Sequence, residues 1–84
     1  MRAEKIQDHV RKRPFRPLRI HLSDGASYDV LHPDMVVVTR TEVCIGVLRE
    51  NARDVGEVAE RLVYCDPLHV TRIVPIRRRR RSGS

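Results

Sequence analysis

The sequence predicts a mainly β protein: a short N-terminal helix, a small five-stranded antiparallel barrel or strongly bent sheet, and a disordered basic tail. Three observations predict it. Ala3, Ile6 and Val10 recur at helical spacing among charged residues, ahead of Pro14. From Leu18 onward, apolar residues alternate with polar ones or gather in short β-branched runs separated by turn residues. A run of five arginines, Arg77 to Arg81, then leads into Ser-Gly-Ser. Residues 1–76 are expected to form a single small domain, with the helix at about 3–12 and the β body at about 18–76. Residues 77–84 form the tail.

The helix stops at Pro14, and Pro17 keeps the link to the body extended. "LRIHLSDGASYDV", Leu18 to Val30, then reads as a hairpin whose register can be decided. A two-residue turn at Asp24-Gly25 would set Ile20 against Asp29 and Leu22 against Ser27, which mixes apolar and polar partners on one face. A three-residue loop, Ser23-Asp24-Gly25 with Gly25 left-handed in a bulge, sorts the faces. It pairs Leu22 with Ala26, Ile20 with Tyr28 and Leu18 with Val30, while Arg19 meets Asp29 and His21 meets Ser27. The second register is the expected one. Pro33-Asp34 ends the hairpin.

"MVVVTRTEVCIGVL" reads as a second hairpin, Met35 to Thr39 and Glu42 to Leu48, turning near Arg40-Thr41. Residues 49–60 are expected to form a loop with one helical turn, although Val55, Val58, Ala59 and Leu62 also fit one helical face. "RLVYC" is a strand, "DPLH" a tight turn and "VTRIVPI" the last strand, with Pro75 at its end or on an edge. The arginine tail is of low complexity and is expected to be disordered.

Charge is unevenly distributed. Met1 to Arg19 holds seven basic residues against Glu4 and Asp8, a net +5. Ile20 to Ile76 holds five arginines against nine carboxylates, a net −4, and the tail restores +5. The body is therefore mildly acidic, and the two ends make the chain basic. A chain of this length buries only about 60–65% of its unfolded surface, so its stability margin is thin. No apolar run approaches the roughly 18 residues that span a bilayer, and no signal-peptide pattern opens the sequence. A soluble, cytoplasmic protein with reduced Cys44 and Cys65 is expected, and no membrane partner.

The order of helix and short strands, with "LVYCDPLHVTRIVPI" as strand, tight turn and strand, resembles the Sm-like family, which includes the RNA chaperone Hfq. The resemblance covers roughly Leu18 to Ile76, and Leu22-Ser23-Asp24-Gly25 and Val63-Tyr64 are its best matches. It implies a small SH3- or Sm-like barrel. The Lys-His pair that contacts RNA after this tyrosine in Hfq-like proteins is Cys65-Asp66 here, so no pocket residue is carried over. "RPFRPLRIHLSDGASYDVLHP" also resembles a set of short uncharacterised bacterial proteins, and no activity comes with that likeness.

Candidate chemistry is sparse. Cys65-x-x-x-His69 has the spacing of a metal half-site, but no C-x-x-C or H-x-x-x-H accompanies it, so no metal is expected. Cysteine–histidine catalysis needs a base in reach and a third orienting group, which a proline turn between Cys65 and His69 does not promise. No phosphate loop, dinucleotide fingerprint or G-x-S-x-G is present, and so small a domain leaves little room for a substrate pocket. No enzymatic activity, cofactor or small-molecule substrate is expected. His21 and His32 read as solvent-side strand residues.

The arginine run is the strongest compositional signal. Arg77, Arg78, Arg79, Arg80 and Arg81 form a phosphate-seeking arm, because each neutralised phosphate releases counterions. Arg11, Lys12, Arg13 and Arg16 offer a second contact, with Arg19 beside them. Phe15, Tyr28 and Tyr64 are the only aromatics, too few for a stacking platform, so nucleic acid, RNA or DNA, would be held by its backbone with little sequence preference. The competing expectation is a protein-interaction or self-oligomerising module whose tail is incidental.

Overall fold

A computed structural model describes residues 1–48 and 58–76. Residues 49–57 of the loop expected at 49–60, and the expected disordered tail at 77–84, lie outside the described residues. The helix α1 runs Ala3–Arg11 and is followed by β1 (Leu18–Leu22), β2 (Ser27–Val30), β3 (Val36–Val38), β4 (Val43–Val47), β5 (Arg61–Cys65) and β6 (Val70–Pro75). One 3-10 turn, Pro33–Met35, separates β2 from β3, and another, Pro67–His69, separates β5 from β6.

The fold is mainly β with one N-terminal helix, as expected, but the strand count and closure differ. There are six strands among the described residues, in two three-stranded antiparallel sheets ordered β2-β1-β6 and β3-β4-β5. They do not close into a five-stranded barrel, nor do they form one bent sheet. The physical reason sits at Pro33. His32 caps the 3-10 turn, its Nδ1 accepting from the Asp34 amide at 3.2 Å, and proline has no N–H to continue a ladder. The ladder that runs through β2 therefore stops before β3 begins. Asp66-Pro67 repeats the device: the carboxylate accepts from the Leu68 amide at 2.9 Å. In both turns the valine that follows, Val36 or Val70, is buried.

The first hairpin has the expected register. Leu18 pairs with Val30, Arg19 with Asp29, Ile20 with Tyr28 and His21 with Ser27, and the Leu22 amide donates to Ala26 O at 2.9 Å. Gly25 is left-handed, with φ of 93°, and its amide donates to Leu22 O. The Asp24 carboxylate accepts from the Ala26 amide and fixes the loop. A Cβ on Gly25 would meet nothing within 4 Å. Gly25→Ala is therefore expected to cost about 1 kcal/mol from left-handed strain alone, with no steric contribution. Urea denaturation with an unchanged m-value checks this, and an unchanged midpoint would contradict it.

The second hairpin turns at Arg40-Thr41, as expected, without the usual turn residues. The Thr39 hydroxyl supplies what glycine or asparagine would, accepting from the amides of Thr41 and Glu42 at 3.3 and 3.0 Å. On β4, Gly46 lets Met35 approach: a Cβ there would lie 3.3 Å from Met35 Cε.

The core is aliphatic. Ile6, Val10, Leu18, Ile20, Val30, Val36, Val43, Ile45 and Val70 are buried, with Phe15, Tyr28 and Ile73 packed half-buried around them. The helix contributes Ile6 and Val10, packing against β3 and the second 3-10 turn. Cys44 pairs with Tyr64 and Val43 with Cys65, so the two thiols sit on opposite faces of their sheet and cannot bridge one another without backbone movement.

Candidate nucleic-acid interface

The basic N-terminal segment divides over two faces of α1 and its exit. His9, Lys12, Arg13 and Arg16 line one cleft of about 510 Å3, together with Pro14, Leu18, Ile73 and Pro75. Among the described residues, no carboxylate lines it. His9 lies on the last turn of α1, and Lys12 and Arg13 follow where the chain leaves the helix, so the three line the cleft from the helix end and its exit. Proline at position 14 then turns the chain so that Arg16 and Leu18 form the opposite wall. Arg11 lies elsewhere. It borders a second depression whose lining includes Glu4, Asp8, Val38 and Arg40, and it makes no ion pair among the described residues.

Each cation of the cleft has a distinct tie. Arg13 Nη1 donates to Val10 O and Lys12 O, both at 3.0 Å, and so satisfies carbonyls at the helix C-terminus, where a positive charge is favoured. Lys12 and Arg16 are exposed and, among the described residues, have no carboxylate partner. Arg19, expected to join this group, does not. It is held by Asp29 across the β1–β2 ladder, Nε to Oδ1 at 2.7 Å and Nη2 to Oδ2 at 3.3 Å, and the hydrogen bond to that carboxylate raises its pKa. Its charge is locally neutralised.

The β1–β6 pairing adds the feature that sequence reasoning could not supply. Leu18 pairs with Pro75 and Ile20 with Ile73, and beyond the ladder the Ile76 amide donates to Pro17 O at 3.0 Å. Ile76, the last described residue before the arginine run, is thereby held next to Pro17, the neighbour of Arg16. Arg77 to Arg81 themselves lie outside the described residues. His9 was missed as a site residue. The signal available was its position on the last helical turn, just before the basic run Arg11 to Arg13.

A second cleft, of about 360 Å3, lies between Leu22, Asp24, Tyr28, Val63, Cys65 and His69. Ser23 Oγ is 3.2 Å from Nδ1 of His69, so the histidine faces a serine. Burial first, then the carboxylates of Asp66 and Asp24, push the Cys65 thiol up, which favours the protonated form rather than the attacking thiolate. Among the described residues, no three His, Cys, Asp or Glu side chains gather as a metal set.

No family model matches the chain, and no curated protein or solved structure matches it. Among the described residues, no helix is long and apolar enough to cross a membrane.

Proposed function

We propose that the protein is a non-enzymatic nucleic-acid binder that grips phosphates with its two basic ends and reads little sequence. The observation that carries this is that Ile76, the residue before the arginine run, is hydrogen-bonded to Pro17 close to a cleft lined by His9, Lys12, Arg13 and Arg16. Two basic segments at one pole act on a polyanion together, whereas the same charges on opposite faces would not. Arg77, Arg78, Arg79, Arg80 and Arg81 form the arm and Lys12, Arg13 and Arg16 the fixed part, with Arg11 contributing least. The helix ahead of the strands and the strand–3-10 turn–strand segment at 61–75 support an Sm-like reading in outline. A cytoplasmic location goes with it.

Deleting Arg77 to Arg81 is expected to weaken binding to all sequences alike. The slope of log K against log salt should flatten by up to about 4 units on duplex DNA if nearly every arginine meets a phosphate. Salt-titrated fluorescence anisotropy with random-sequence probes reads both quantities. An unchanged affinity and slope after deletion would remove the arm from the binding element.

A self-associating module is the second reading, favoured by the outer face of the β3-β4-β5 sheet. Val37, Leu62 and Tyr64 are all more than half exposed there, at 58%, 54% and 60%. The register aligns Val37, Cys44 and Tyr64 in one row. β6 is also an outer strand of its sheet, so the Val70 to Val74 edge offers free backbone groups to another copy. On this reading light scattering across a dilution series gives a dimer or small ring. A monomer at high concentration in both low and physiological salt rules it out.

A further inference from the structure

We infer that the cleft between the end of α1, β1 and β6 seats one nucleotide of a single strand, phosphate on the cationic rim and base on the apolar floor. The inference rests on the nucleic-acid reading above and goes beyond it in naming what enters the cleft. A surface that only tracks a phosphate backbone needs positive charge and nothing else. This cleft has two chemically different parts. Lys12, Arg13 and Arg16 form a rim with no carboxylate among the lining residues, while Pro14, Leu18, Ile73 and Pro75 supply an apolar floor. Leu18 is buried and Ile73 half-buried, so the centre of the floor belongs to the folded body, and the exposed Pro14 and Pro75 extend it to the surface. At about 510 Å3 the cleft has the size of a small-ligand site, larger than a phosphate group requires.

The consequence reverses a preference. Charge alone favours the duplex, whose phosphates are denser and whose counterion release per contact is larger. A stacked duplex base cannot reach the floor, but an unstacked base of a single strand can. The nucleotide in the cleft therefore gives single strands an advantage that the arginine arm cannot. Proline and aliphatic side chains offer apolar contact without base-specific hydrogen bonds, so the advantage is shared among bases.

Titrating the full chain with adenosine monophosphate and, separately, with inorganic phosphate tests this by methyl NMR. The monophosphate is expected to bind at least tenfold more tightly and to shift the Leu18 and Ile73 methyl resonances, while phosphate leaves them in place. Ile73→Ala is expected to lower monophosphate affinity several-fold and to leave phosphate binding unchanged. Should that variant fail to fold, the wild-type titration and a comparison of oligonucleotides decide: single-stranded probes should bind at least as tightly as duplexes of equal length at equal salt. Equal affinity for the two small ligands with unmoved methyl groups would overturn the inference. So would tighter capture by anionic-lipid vesicles than by single-stranded probes. Salt-dependent binding to duplex and single strand alike would leave the phosphate-gripping function standing without the nucleotide cleft, whereas loss of all polymer binding would remove both.

Discussion

Ile20→Ala is expected to destabilise the protein by about 3–4 kcal/mol, the middle of the range for trimming a fully buried isoleucine. Ile20 has no exposed surface and lies on β1, the central strand of its sheet, between Tyr28 on one side and Ile73 on the other. Its neighbours are bound into ladders on both flanks, so the void has little freedom to collapse. A chain of this size holds roughly 4–12 kcal/mol in total, so the loss is a large share of it. The melting temperature should fall by roughly 15–25 °C, at about 4–8 °C per kcal/mol for small domains. Val37→Ala, on the exposed outer face of the other sheet, is the matched control and should stay within about 0.5 kcal/mol. Calorimetry on the two variants reads the contrast. Equal, small effects would mean that the aliphatic cluster around Ile20 is not the element that holds the fold.

The same strand shows why some of this architecture was legible and some was not. The β1–β2 register follows from local facts, since a period-2 face pattern over adjacent segments allows one alignment that keeps Ile20 with Tyr28 and Arg19 with Asp29. The helix was legible for the same reason: Ile6 and Val10 mark its buried side, and Pro14 bounds it. The separation into two sheets was not read, although its cause is in the sequence. Pro33 marks the end of a hairpin in the sequence, and its further effect, breaking the ladder before β3, depends on where His32 and Met35 settle in three dimensions. The β1–β6 ladder was the least legible feature. It joins residues 48 to 57 positions apart, and nothing in the local pattern of "VTRIVPI" says which strand it will meet. The candidate site inherits that difficulty. Lys12, Arg13 and Arg16 could be named from composition, but their shared cleft with Ile73 and Pro75 exists only once that ladder forms. Arg19 shows the converse, because its charge looks the same in sequence and is held by Asp29 in the fold, while Arg11 lines a different depression that includes Glu4 and Asp8.

Reversing the charge of two rim cations that have no carboxylate partner among the described residues, Lys12→Glu with Arg16→Glu, is expected to weaken duplex DNA binding about 200-fold near 50 mM salt. Each phosphate contact contributes about 0.9 to the salt slope, so two lost contacts are worth roughly two decades at that ionic strength. The loss should shrink to about 20-fold near 200 mM, since the contribution of each contact falls as salt rises. The slope itself should fall by about 2. Net charge drops from +6 to +2, because each substitution removes one positive charge and adds one negative. That global change is controlled by placing the same reversal at Arg11 and Arg19, which leaves the same net charge. There the loss should be much smaller, because Arg11 sits among Glu4 and Asp8 and Arg19 is already held by Asp29. Lys12 and Arg16 are exposed and outside the core, so the fold is expected to survive both changes. Arg13 is left alone in this design, since its guanidinium also caps the helix end through Val10 O and Lys12 O. If both double variants lose affinity equally, the protein binds by its overall charge, and the cleft has no special part in it.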